Sequence, residues 1–168
     1  MKDFENKTEK SPKICDNKSV GMIIRKNDDI LLIERMKFPF GFAPPAGHID
    51  DHGSWSQAVE DEVNEEVGLI PVKIKLLVEG RKNNKCRRQD GDWHYWKIYE
   101  VETAGEIKRS EDETKQASWY SKEQIRKLAD RTKRYLSGEI TDDEWENNPG
   151  LEVVWYEWFD QLGVLTTD

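Results

Sequence analysis

An α/β (α+β) sandwich, with a mixed β-sheet packed between helices and a helical extension at the C-terminus, is the fold class that three observations predict. Apolar runs bounded by turn residues flank a single amphipathic helix with clear start and stop signals. Two further helix starts and an amphipathic C-terminal stripe close the chain. At 168 residues, with 36% apolar content and seven tryptophans, the chain is about one domain's worth and has the material for a real core.

Residues 1–18, MKDFENKTEKSPKICDNK, are too poor in apolar groups to pack and are expected to form a flexible arm. SVGMIIRKNDDILLIERM reads as a hairpin, two apolar runs around the Asn27-Asp28-Asp29 turn. KFPFGFAPPAGHIDDHG, rich in proline and glycine, is expected to be a shaped loop. A helix then starts at Ser54, which forms an S-x-x-Q capping box with Gln57, carries Trp55, Val59, Val63 and Val67 at four-residue spacing, and stops at Gly68. IPVKIKLLVEG, DWHYWKIYEV and the short ASWY are strand candidates. Ser121 and Gln124 open a helix reaching about Ser137, and Thr141 and Glu144 form another capping box. Leu151, Val154, Trp155, Trp158, Phe159 and Leu162 then mark one helical face. The expected domain spans residues 19–138, with residues 139–168 as an extension packed on it; an exposed Trp155/Trp158/Phe159 stripe would instead predict a dimer, so monomer and homodimer both stay open.

Charge narrows the function classes. With 34 acidic against 26 basic residues, formally −8, the chain is expected to bind neither polymeric nucleic acid nor an anionic membrane surface. Its first 18 residues contain no signal-type apolar core, so a cytoplasmic location is expected. Two cysteines, Cys15 and Cys86, show no framework spacing and are expected to be reduced thiols.

The chemistry concentrates at Glu62, Glu65 and Glu66, which fall within roughly a 100° arc of one helix face beside the apolar stripe. Carboxylates at the edge of a core repel one another unless a cation sits among them, and such hard oxygen ligands favour Mg2+ or Mn2+. A backbone carbonyl of Ala46 or Gly47 is placed to complete the site. A solvated acidic face is the plainer alternative.

The segment from Gly47 to Leu69 resembles the box of the Nudix hydrolase family, G-x5-E-x7-R-E-U-x-E-E-x-G-U with U a bulky aliphatic residue. Gly47, Glu62, Val63, Glu65, Glu66, Gly68 and Leu69 stand at the expected positions, preceded by PPAG where the family usually has P-G-G. The resemblance covers about residues 19–130 and implies a Nudix-type sandwich. Two positions depart: Gly53 stands where the box has its first glutamate and Asp61 where it has arginine. In the family these two residues support each other, and a pairing of His52 with Asp61 is one expected replacement; a simply exposed Asp61 is the other.

The resemblance implies Mg2+-dependent (Mn2+ also suiting the site) hydrolysis of a pyrophosphate bond in a nucleoside diphosphate linked to another moiety, or in a nucleoside triphosphate. Glu62, Glu65 and Glu66 would hold the metal with Ala46 or Gly47, and Glu62 and Glu65 are assigned catalytic roles with it. Similar proteins draw a base from a loop carboxylate upstream of a tryptophan, which makes Glu113 the candidate, with Glu111 and Asp112 as competitors. The departures at positions 53 and 61 also motivate another class, a Nudix-fold module that binds a nucleotide and turns it over poorly.

RKNNKCRRQDGDWHYW is locally basic in an acidic chain. Arg87 and Arg88 there, with Arg35 at the end of the hairpin, are candidate contacts for an anionic substrate, and Trp93, Trp96 and Phe42 are candidate stacking surfaces for a base. Alternation sends Tyr95 and Trp96 to opposite sheet faces, so at least one of them is expected in the core. His48, His52, Cys86 and His94 would suit zinc if they converged, but their spacing matches no compact zinc motif. Nothing beside the box selects a substrate, and Pro71 follows it too closely to match the proline marker of ADP-ribose enzymes.

Overall fold

The structure, a computed structural model, describes residues 13–50 and 52–167. Among the described residues, eight strands form two sheets. In the first, β5 (Ala46–His48), β1 (Lys18–Ile23), β7 (His94–Ala104) and β6 (Ile70–Lys82) lie side by side in that order. Its central pair β1/β7 is parallel and its outer pairs are antiparallel, so this sheet is mixed. The second sheet is antiparallel and centres on β3 (Asp29–Arg35), with β8 (Thr114–Tyr120) along one edge and the two-residue strands β2 (Arg25–Lys26) and β4 (Phe42–Ala43) along the other.

Helices cover both sides, as expected for a sheet layer whose central strands are apolar on both faces. Val20, Met22, Ile24, Leu31 and Ile33 pack with Ala58, Val59, Val63 and Val67 of α1 (Trp55–Val67). The opposite faces of the same strands, through Ile23, Ile30 and Leu32, join Trp96 and Ile98 against Ile125 and Ala129 of α2 (Lys122–Leu136) and Val154, Trp155, Trp158 and Phe159 of α4 (Val153–Gln161). A short α3 (Asp142–Asn147), started by the Thr141 hydroxyl, links α2 to α4. The C-terminal aromatic stripe therefore lies inside, and the reason for a dimer that rested on its exposure falls away. Trp155 reaches so far between the elements that any side chain at Gly21 would collide with its ring.

Three local readings need correction. The expected hairpin divides at Ile24: only β2 and β3 pair as its two arms, while β1 joins β7 in the other sheet. The proline-rich loop contains β4 and β5. Ser54 caps α1 by accepting from the Gln57 amide, but the Gln57 side chain turns forward to Asp61 at 2.8 Å instead of back to the cap, so the capping box is half made. Gly68, at φ +70°, ends the helix in the left-handed region that glycine enters without strain.

Most of the expected arm, residues 1–12, lies outside the described residues. Its end is not loose. Ile14 pairs with Gln89, Cys15 is buried, and the Asn17 amide donates to the carbonyls of Asp90 and Trp93 at 3.0 and 2.8 Å. Among the described residues no helix is long and apolar enough to cross a membrane.

Candidate active site

α1 presents its acidic face to a cleft of about 240 Å³ closed by β5, the end of β3 and the loop before β7. Glu62, Glu66 and Glu113 line it together with Arg35, Arg87, Arg88, Ala46, Gly47, His48, Trp96 and Glu152. Glu65 is exposed and does not line it, but a carboxylate oxygen of Glu65 lies within 4.8 Å of ligand atoms of Glu62 and His52.

Glu66 is a buried carboxylate of this cleft. It is 5% exposed, and its Oε2 is buried with no hydrogen-bond partner among the described residues. Burial, then repulsion from Glu62, raises its pKa well above the ordinary value, against the pull of Arg35; Glu113 raises it further, and the amide of Ala46 hydrogen-bonds to it. Glu62 is pushed up to about 7, first by burial and then by Glu65 and Glu113, against the stabilising influence of His52. A buried oxygen lacking a donor, among carboxylates that resist ionisation, is a site short of positive charge.

His52 partly supplies it. Its Nδ1 lies 2.8 Å from Asp61 Oδ2 and its Nε2 3.0 Å from Glu62 Oε1, a geometry in which both ring nitrogens donate only as the imidazolium. Burial disfavours that cation, but the bonds to Asp61 and Glu62 outweigh it and raise the His52 pKa. The Gln57 and His52 bonds hold Asp61 below the usual carboxylate range. The expected His52/Asp61 pairing is therefore present. The second contact, to Glu62, was not legible from the sequence, because it depends on where the glycine turn delivers the ring.

Gly47 explains how Glu62 fits. A Cβ there would run into the Glu62 carboxyl group, so the bare glycine leaves that carboxyl its present place against β5. Gly47→Ala should displace Glu62 and weaken Mn2+ binding by about tenfold to a hundredfold, a range seen when the support of a metal ligand is removed. Titration calorimetry with Mn2+ would measure it, with the far-ultraviolet spectrum showing that the fold persists.

The remaining predicted residues divide. Arg35 lies between Glu66 and Glu152, its Nε 3.9 Å from Glu152 Oε2. Arg87 faces the cleft from an exposed position, whereas Arg88 binds Asp50 at 2.7 Å while still lining the cleft. Glu113 lines it; Glu111 and Asp112 do not. Trp96 reaches the cleft but is 4% exposed, edge-on to Trp155 and bonded through Nε1 to Asn84, which makes it wall rather than clamp. Trp93 and Phe42 are not brought to the cleft. The Arg81 guanidinium covers the Trp93 ring at 4.4 Å, and Phe42 is buried against Tyr120. The aromatic ring at the cleft mouth is Phe38, 42% exposed. Glu152, buried and raised in pKa by its burial, was missed; a lone glutamate ahead of a helix carries no signal of pointing toward Arg35.

A family model described as "NUDIX domain" matches residues 16–159. The chain belongs to the Nudix family. A relative from Methanocaldococcus jannaschii, named an ADP-ribose pyrophosphatase, is 34% identical over 114 residues, 66% of this chain. The match spans 65% of that relative's own length. Among solved structures, a Nudix hydrolase from Nitrosomonas europaea superposes with a TM-score of 0.56 at 23% identity, over 66% of this chain and 76% of that one. The Nudix domain of Shewanella oneidensis NrtR, solved with ADP-ribose, gives 0.52 at 19% identity over 71% and 79% of the two chains. At these identities the structures establish the Nudix fold alone.

Proposed function

We propose that the chain hydrolyses a pyrophosphate bond in a nucleoside diphosphate linked to another moiety, or in a nucleoside triphosphate, using Mg2+ held by Glu62, Glu65 and Glu66. The observation that carries this reading is the unpartnered, buried Oε2 of Glu66 beside a Glu62 carboxyl whose pKa is about 7. Both groups fit a hard divalent cation, and Mn2+ would fit the same oxygens. When bound, Mg2+ supplies neutralisation of phosphate oxygens and acidification of an attacking water. A backbone carbonyl of Ala46 or Gly47 is proposed to complete its coordination.

The chain's own residues do the rest. Arg35 and Arg87 face the cleft with opposite charge to the phosphates and orient them. Glu113, near enough to Glu62 and Glu66 to raise the pKa of both, is proposed to take the proton of the attacking water. Trp96 walls the cleft and excludes water from one side. His52 holds Glu62 in place through its Nε2 and stands on Asp61 through its Nδ1, where the family pattern has a glutamate and an arginine supporting each other.

ADP-ribose is the first substrate to test, on the strength of the M. jannaschii relative's name, although Pro71 does not fit the marker of that subclass. A panel of ADP-ribose, sugar nucleotides, dinucleoside polyphosphates and nucleoside triphosphates, assayed for phosphate or nucleotide release with Mg2+, should give turnover on at least one member. Tight binding without release on every member would favour the nucleotide-binding module. A cytoplasmic setting is part of the proposal.

A further inference from the structure

Cys15, His48, Cys86 and His94 come together at the far wall of the cleft from four separate segments, and each offers a ligand atom within 4.8 Å of the other three. From its sequence Cys15 is expected in a loose arm, with His52 the residue that would join the other three. The structure sends His52 to the acidic helix and puts Cys15 in its place.

We propose that these four side chains form a tetrahedral Cys2His2 site for a structural zinc ion. With Zn–S of about 2.3 Å and Zn–N of about 2.0–2.1 Å, tetrahedral ligands stand about 3.8 Å apart for two sulfurs and about 3.6 Å for sulfur and nitrogen. Here Cys15 Sγ and Cys86 Sγ are 3.8 Å apart, and Cys15 Sγ lies 3.3 Å from His94 Nε2. Both cysteines are free, and their separation is that of two ligands rather than of a bonded pair.

The surroundings match what such an ion requires. His94 Nδ1 is 2.9 Å from the Asn84 carbonyl, to which only a protonated Nδ1 can donate, leaving the Nε2 lone pair aimed at the cluster. His48 Nε2 is buried and has no hydrogen-bond partner among the described residues. Each sulfur accepts a backbone amide two residues ahead, from Asn17 at 3.3 Å and from Arg88 at 3.4 Å, the contacts that stabilise a thiolate. Gly91 is buried where any Cβ would strike Cys86 Sγ, so the turn is shaped around the sulfur. Four protein ligands leave no open position, which makes the site structural rather than catalytic. It would tie the segment around Cys15, strand β5 and the basic loop together, and so fix the backbone that carries Arg87 and adjoins Gly47.

Metal analysis of the full-length protein, purified without chelator and dialysed against Mg2+, tests this. One zinc per chain is expected, falling to near zero in Cys15→Ser and in Cys86→Ser. It should be retained in the Glu62→Gln/Glu66→Gln double variant, which separates this site from the acidic helix and makes the result independent of the proposed hydrolysis. If a cysteine variant fails to fold, Co2+ exchanged into the unaltered protein gives the same answer, through tetrahedral d–d bands with thiolate-to-cobalt charge transfer. Zinc lost from the glutamate variant and kept in the cysteine variants would overturn the proposal. So would a Cys15–Cys86 disulfide in the purified protein, or Co2+ bound without thiolate bands.

Discussion

Glu62→Gln is expected to lower turnover roughly a hundredfold to a thousandfold on whichever nucleotide the panel identifies, a loss of about 3–4 kcal/mol of transition-state stabilisation. The amide keeps the shape of the side chain and one acceptor oxygen but cannot supply the negative charge that a divalent cation needs. The protein should not unfold. In the absence of metal, the replaced group is a carboxyl whose ionisation burial already resists, so the melting temperature of the metal-free variant should equal or exceed that of the unaltered protein. Kinetics and a thermal melt on the same preparation check the two halves: loss of activity with loss of fold would assign Glu62 a structural role.

The second large effect links magnesium to pH. The folded-state pKa of Glu62, about 7, stands above its ordinary 4.5, so the metal-free folded protein keeps a proton that the unfolded chain releases. Stability from this group is present below pH 4.5 and lost as pH rises through 7, on the order of 3 kcal/mol. Glu66 and Glu152, also raised, and His52, a cation raised by its two carboxylates, act with the same sign. His48, lowered to about 4, and His94, also lowered, act oppositely, gaining stability as pH rises to their ordinary value of 6.5. Those histidine contributions are common to samples with and without added Mg2+ and cancel in the difference. Mg2+ needs the ionised carboxylates, so protons compete with it. Its stabilising increment should be about 5–10 °C at pH 8 and a hundredfold excess over the dissociation constant, shrinking to about 1 °C at pH 5. Differential scanning fluorimetry at matched ionic strength measures it; an increment independent of pH would mean that the ion binds elsewhere.

The acidic site was legible in the sequence because its information is local. The spacing of Glu62, Glu65 and Glu66, the Ser54 cap and the Gly68 stop all lie within one helix, and helix geometry turns that spacing into a face. The layered fold was legible for the same reason, strand by strand. What depends on distant pairing was not. The departure of β1 from its hairpin is decided by its parallel register with β7, more than 70 residues away. Phe42 could not be told from a base clamp without knowing that β4 places it against Tyr120. Cys15 stands in a polar stretch with Ile14 alone beside it, too little apolar pattern to signal burial, and its meeting with His94 across 79 residues is created wholly by the topology. His52 stood between these cases. Its partner Asp61 is nine residues away and was foreseeable, whereas its hold on Glu62 follows from where the glycine turn delivers the ring.

On the proposed reading, one turn of α1 holds the divalent ion through Glu62, Glu65 and Glu66. Anomalous diffraction from crystals grown with Mn2+ tests it most directly. A manganese peak within coordination distance of Glu66 Oε2 and a Glu62 oxygen is the predicted result; saturating Mn2+ with no peak there, or with its only peak away from α1, would contradict it.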